Sequence, residues 1–339
     1  MSAAASERSR VSELDRAKGL AIVLVVIGHV VAGDPPAGNA WYVTLKTLIY
    51  KFHMPFFMFL SGAVFGLTHR PLRSGADYAR LMWKRGARLV PGFLLFSVAI
   101  VVGKHFARGF IHVDNQRADV ASALLEIVVT PAASAAASLW YIYVLFLLYA
   151  ALPLLLCALR ESAVAAVAAA AALHGVALAY SLPQLGALDR VFEFALYFAL
   201  GHWAMEHRTA LLRFVTERAL LSYGAFAASF LSVLVWPGAP SKTLIGLASI
   251  PALLAFVAAL PGARDRRVLE TLGAYTFSIY LMNTICIGLA KGALLEWVPW
   301  DGRNFLVFFP LLVASGVLAP IAAHRFVLSR IPVLGTITK

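Results

Sequence analysis

The sequence predicts an all-α membrane protein of about ten transmembrane helices with both termini cytosolic. Three observations carry that prediction. The chain of 339 residues is 61% hydrophobic and 14% charged, whereas soluble domains run nearer half apolar and a quarter charged. Its apolar stretches are continuous rather than alternating, which suits helices and not barrel strands. Its basic residues fall unevenly between alternate connecting segments. The same composition excludes a disordered chain. The net charge of +12 reads as loops facing anionic membrane lipids, not as a nucleic-acid surface.

Apolar runs bounded by charges and by Pro or Gly give spans at 17–33, 44–67, 86–104, 138–157, 162–180, 190–206, 218–236, 242–260, 269–290 and 305–328. The first resembles a secretory signal, with a basic start, an apolar centre and small residues at Val31-Ala32-Gly33. Asp15, Lys18 and His29 inside it, and the charge balance of the later loops, favour a retained helix. The second contains Pro55, which removes a backbone donor and is expected to loosen the helix. Between the third and fourth lies the long outer loop 105–137, in which DVASALLEIVVTP is too short to span and reads as an interfacial helix. The fifth is alanine-rich and suits close helix packing. Cys157 and Cys286 fall in apolar runs and are expected as buried, free thiols. One domain over 1–339 is expected, with a flexible cytosolic tail over 1–13 and a short one over 329–339.

Sidedness follows from lysine and arginine. With the N-terminus in the cytosol, nineteen of the 29 basic residues fall in cytosolic segments and six in outer loops. The acids divide nine to eight and barely discriminate.

Ionisable groups within a bilayer are costly, so each is a functional candidate. His29 lies eleven residues past Lys18, or ~16 Å along a helix, near the middle of a ~30 Å core. Eleven residues also return to nearly the same helix face, so Asp15, Lys18 and His29 form one stripe. His53 enters from the outer side on the second span, and Thr276, Tyr280 and Asn283 share one face of the ninth. Trp140 sits near an interface and is counted with the cavity residues. Lys84, Arg85 and Arg88, in the cytosolic loop 70–88, suit an anionic, phosphate-bearing ligand. No metal or nucleotide motif occurs. A histidine at mid-membrane then points to general-base catalysis or to a proton relay.

LDRAKGLAIVLVVIGHV, FHMPFFMFLSG, KRGARLVP, SLWYIYVLFLLYA and TFSIYLMN resemble, in order, the sequence blocks of the acyltransferase-3 family of integral membrane acyltransferases, nearest the fucose 4-O-acetylase-like proteins. The resemblance runs from about Leu14 to Lys291. It implies ten helices with both termini inside, acetyl-CoA or another acyl-CoA as a cytosolic donor substrate with no permanently bound cofactor, and a sugar hydroxyl as acceptor. Lys18 and His29 match the family's basic residue and histidine of the first helix, where the basic residue is usually arginine. Arg85 and Arg88 match the basic residues before Leu-Val-Pro. Asn283 stands where the family often has histidine.

The expectation is therefore an O-acyltransferase of the bacterial inner membrane that modifies a cell-surface or lipid-linked glycan. His29 would serve as base with Asp15 and Lys18 nearby, Lys84, Arg85 and Arg88 would hold coenzyme phosphates, and His53, Tyr280, Asn283 and Trp140 would shape the cavity. The rival is a proton-coupled transporter or flippase, against which the lack of inverted repeats counts.

Overall fold

Helix α1 (Ala3–His29) runs through the centre of a helical bundle, with Ala17, Ala21, Ile22, Val25 and Val26 buried on one stripe. The computed structural model describes residues 3–33, 35–107 and 119–338, with side chains from residue 12 onward. Arg108, Arg117 and Lys339 lie outside the described residues, as do the side chains of Arg8 and Arg10. The expected tail over 1–13 is helical from Ala3, and its end is tied down. Ser12 hydrogen-bonds to Glu270, and Glu13 pairs with Arg208 at 2.6 Å.

The first predicted span continues to residue 33, but α1 stops at His29. A helix end in an apolar interior leaves carbonyls that need donors. The next helix, α2 (Ala40–Tyr50), supplies them. Tyr42 Oη donates to Ile27 O at 3.0 Å, Tyr50 Oη to Gly28 O at 2.8 Å, and Lys46 Nζ to Val31 O at 2.6 Å.

The second predicted span is divided between α2 and α3 (His53–Thr68). The break comes at Lys51-Phe52, ahead of Pro55, which sits in the first turn of α3 where a missing donor costs little. Eleven of the 16 residues of α3 are buried, which makes it an interior helix, apolar on all sides.

The predicted cytosolic loop 70–88 is largely helical. Ser74 and Asp77 cap α4 (Gly75–Ala107) reciprocally: Asp77 N donates to Ser74 Oγ at 3.2 Å, and Ser74 Oγ donates to Asp77 Oδ2 at 3.0 Å. At 33 residues, α4 is ~50 Å long and outruns a ~30 Å apolar core. Arg80, Lys84, Arg85 and Arg88 occupy its first four turns, and Lys104 its last. The interfacial helix α5 (Val120–Val129) forms as expected, capped by Asp119, whose carboxylate accepts from Ser122 and Ala121. Those bonds, chiefly from Ser122, hold the Asp119 carboxyl below the usual aspartate value.

The chain continues through α6 (Trp140–Ala158) and α7 (Ala163–Ala179), whose buried Ala163, Ala166, Ala170 and His174 form the packing stripe. Cys157 of α6 is exposed rather than buried. Helix α8 (Leu188–Glu206) packs hardest against α3. Gly62 and Gly201 face the opposing backbones so closely that a methyl on either would strike the carbonyl of Phe198 or Phe59. The seventh predicted span, 218–236, is the pair α10 (Ala219–Ser229) and α11 (Ser232–Val235), set at 83° to the preceding α9 (Arg208–Glu217).

Helix α12 (Ala239–Ala259) matches the eighth span. The ninth is split at Tyr275 into the charged α13 (Ala263–Ala274) and α14 (Thr276–Leu295). Helix α15 (Phe305–Phe326) follows, then α16 (Pro332–Ile337). The short tail over 329–339 packs against the bundle: Ile337 and Thr338 are buried, Thr338 O accepts from Ser278 Oγ, and Thr338 Oγ1 bonds His324 Nδ1 at 2.9 Å.

Each predicted span has a helical counterpart, and among the described residues six are long and apolar enough to cross a membrane, with α2 and α3 taken together, or seven with the bent pair. Helix α7 falls short in length, at 17 residues. Helices α1 and α8 carry too many charges, because α1 ends at His29 and every long window takes in Asp15, Arg16 and Lys18, while α8 holds Asp189, Arg190 and Glu193 at its start. These charges are paired within the protein, so they need not face lipid.

Candidate active site

The packing of α1, α3 and α14 leaves two cavities. One, of about 460 Å³, is lined by His29, His53, Trp140, His174, Asp189, Arg190, Glu193, Lys51, Lys242 and Tyr280, among others. That volume falls in the usual range for small-molecule sites. The other, of about 150 Å³, is lined by Lys18, Ser61, Arg85, Arg88, Tyr141, Tyr149, Thr276 and Tyr280. Tyr280 lines both.

His29 is held from below by Asn283. The Asn283 amide nitrogen donates to Ile279 O at 3.0 Å and Tyr280 O at 2.9 Å, which spends both of its hydrogens. Oδ1 is then the atom turned toward His29, at 2.8 Å from Nδ1. An amide oxygen only accepts, so Nδ1 carries the proton and Nε2 keeps its lone pair. Nε2 has no partner among the described residues, and the ring lines the larger cavity. Helix α14 thus fixes the tautomer of a residue on α1.

His53 is the first residue of α3 and is buried. Its Nδ1 donates to Ile49 O at 2.8 Å, and its ring lies 4.9 Å from that of Tyr50. His174 is different in kind. It contacts Glu193 O at 2.6 Å and Thr243 Oγ1 at 2.9 Å, so both nitrogens are engaged in tying α7 to α8 and α12.

The smaller cavity is cationic. Lys18 pairs with Asp15 at 2.6 Å. Arg85 lies over the Tyr149 ring at 4.3 Å, and its Nη2 donates to Thr68 Oγ1 at 2.8 Å, while its buried Nε has no partner. Ser61 Oγ and Tyr141 Oη hydrogen-bond to each other on the same wall. Tyr141 and Tyr280 rings stand 5.2 Å apart and, with Phe57, form the partition between the cavities.

A family model described as an acyltransferase domain, that of the acyltransferase-3 family, matches residues 11–325. The chain belongs to that family. It is therefore a membrane acyltransferase. No curated protein and no solved structure matches the chain.

In this acyltransferase the expected site residues divide. His29, His53, Trp140 and Tyr280 gather at the larger cavity, and Lys18, Arg85, Arg88 and Tyr280 at the smaller. Asp15 touches the smaller one only through Lys18. The stripe of Asp15, Lys18 and His29 does not make one catalytic cluster, because the helix rise holds its ends ~21 Å apart and Lys18 ~16 Å from His29. Asn283 turns Oδ1 to His29 and its amide hydrogens to its own helix, and it lines neither cavity, contrary to the expectation. Lys84 is exposed and lines neither cavity. Sequence reasoning missed Lys51, His174, Asp189, Arg190, Glu193 and Lys242. The spacing of Asp189 and Glu193, one helical turn apart in an apolar segment, was the available signal.

Proposed function

We propose that this acyltransferase carries an acetyl group from acetyl-CoA, entering by the Lys18–Arg85–Arg88 cavity, to a glycan hydroxyl bound in the His29 cavity. The observation that carries the reading is the shared wall at Tyr280, which makes the two cavities consecutive along one path. A volume of about 150 Å³ is too small for a nucleotide and suits the narrow thioester arm. The coenzyme's phosphates then stay at the mouth, on Arg85 and Arg88. His29 Nε2 takes the proton of the acceptor hydroxyl as its oxygen attacks the thioester carbonyl. The carbon–sulfur bond breaks, the leaving thiolate takes that proton back from the His29 imidazolium, and the thiol leaves toward the basic mouth.

The distribution of basic residues supports a cytosolic mouth and a His29 cavity on the outer side. In this reading α1, α7 and α8 complete ten crossings, both termini are cytosolic, and the membrane is the bacterial inner membrane. The acceptor is a cell-surface or lipid-linked glycan, as for the fucose 4-O-acetylase-like proteins that the sequence blocks resemble most.

The test is acetyl-CoA turnover by purified protein in nanodiscs, with extracted glycolipid as acceptor. A general base contributes roughly 10²–10⁴-fold, so His29→Ala should lose that factor in kcat with the melting temperature unchanged. Undiminished turnover by a folded His29→Ala variant would remove His29 as base. Background release by both proteins in the presence of acceptor would favour the transport reading.

A further inference from the structure

The outer cavity holds more charge than a base and a neutral sugar require. Asp189, Arg190 and Glu193 form one cluster, with Arg190 at 2.8 Å from Glu193 and 3.4 Å from Asp189, and its guanidinium over the Trp140 ring at 5.5 Å. Both acids are turned to Arg190. Lys51 and Lys242 line the same cavity from other elements, and no carboxylate pairs with either among the described residues. Lys51 sits at the α2–α3 break, half-buried, and Lys242 in the first turns of α12, exposed.

The backbone adds to this. Helices α3, α8 and α12 all begin at the cavity, which Met54, Asp189 and Ala239 line from their first turns. Helix N-termini carry partial positive charge. Asp189 answers that of α8, but α3 and α12 have no acid in the first turn. A further atom points to a ligand: Asp189 Oδ1 is buried with no hydrogen-bond partner among the described residues, whereas Arg190 Nε is turned to Asp189 Oδ2 at 3.4 Å.

We propose that the acceptor bound in this cavity is an anionic glycan, its carboxylate or phosphate held by Lys51 and Lys242 and its hydroxyls by the Asp189–Arg190 cluster. The proposal rests on the reading of this cavity as the acceptor site and adds the acceptor's charge. A fixed anion between the lysines leaves the neutral hydroxyl end of the sugar free to turn toward His29. It also restricts the acceptor to glycans in which the reacting hydroxyl stands some way from the charge.

Equilibrium binding separates this from acyl transfer. The probes are p-nitrophenyl β-glucoside, the matching glucuronide and the matching glucoside 6-phosphate, measured against full-length protein in phosphatidylcholine nanodiscs. At least one anionic probe should bind about tenfold tighter than the neutral one, the scale for two partly exposed charges. Preference for the glucuronide assigns a uronic acid, and preference for the phosphate a phosphorylated sugar. In Lys51→Gln/Lys242→Gln the margin should vanish with the neutral probe's Kd unchanged, and Lys51→Arg/Lys242→Arg should keep it. Equal binding of all three probes by the wild type, or a margin that survives in the glutamine variant, overturns the proposal. So does displacement of the anionic probes by phosphatidylglycerol in the disc, which would assign the lysines to lipid. His29→Ala should keep the margin whatever happens to transfer, so loss of the base assignment and loss of this one are read separately.

Discussion

The two cavities that meet at Tyr280 are built in opposite ways. At His29, the amide of Asn283 is fixed by two carbonyls of its own helix, and its oxygen fixes the imidazole so that one nitrogen faces the cavity. Around Lys18, Arg85 and Arg88, several cations share a small space, and only part of their hydrogen-bonding capacity is spent within the protein. The first arrangement holds one atom in one place, as proton transfer needs. The second, in the proposed reading, meets a donor with several phosphates by spreading charge over several cations. Single substitutions should therefore strike kcat at the first cavity and KM at the second.

The sharpest way to break that contrast is Asn283→Leu. It frees the His29 ring to rotate and to exchange tautomers without touching a cavity wall. Misplacement of a catalytic group by about 1 Å costs roughly 10²-fold, and kcat should fall by that order while KM for acetyl-CoA stays constant. A conservative check is Asn283→Gln, which keeps the amide but lengthens its reach and should recover only part of the loss. If KM rises and kcat holds, Asn283 belongs to substrate binding and the two cavities are less distinct than their geometry implies.

Much of this frame was legible in the chain, and what was not legible has a physical pattern. Apolar runs located every helix that crosses the bundle, because the hydrophobic run is a local property. His29 stood out because an imidazole eleven residues inside an apolar helix is costly without a role. The helix breaks were mislocated. Pro55 looked like the breaker, yet the turn falls at Lys51-Phe52, where Tyr42 and Tyr50 reach back to the end of α1. That choice depends on contacts between α1 and α2, not on either alone. The tail over 1–13 reads as flexible because it is short and mixed in character, whereas Glu13 finds its partner Arg208, 195 positions away. The partnership of Asn283 with His29 spans 254 positions and leaves no periodic trace in the sequence.

The second cavity yields a smaller effect. Arg85→Gln removes the cation over Tyr149 and the buried Nε that has no partner. A hydrogen bond to a charged group contributes about 1.5–3 kcal/mol, so KM for acetyl-CoA should rise by roughly tenfold to a hundredfold, with kcat changed little. Arg85→Lys keeps charge but not the fork and should recover a minority of that loss. A drop in kcat with unaltered KM would move Arg85 from donor binding to the reaction itself.

The smallest expected effect is the one that sharpens the comparison most. Lys84 is adjacent to Arg85 in sequence, carries the same charge, and is expected from composition to serve the same donor. On α4 it projects away from the cavity that Arg85 and Arg88 line. An exposed charge there acts on a phosphate only through solvent, over a Debye length of about 8 Å at physiological salt. Lys84→Gln should therefore raise KM by less than about twofold, and the remainder should disappear in 0.5 M salt. The Arg85→Gln effect should largely persist in that salt, because a partly buried contact is screened less. If Lys84→Gln matched Arg85→Gln in size and salt response, the phosphates would lie further along the projecting turns of α4, and the small cavity would hold no part of the donor except its acyl end.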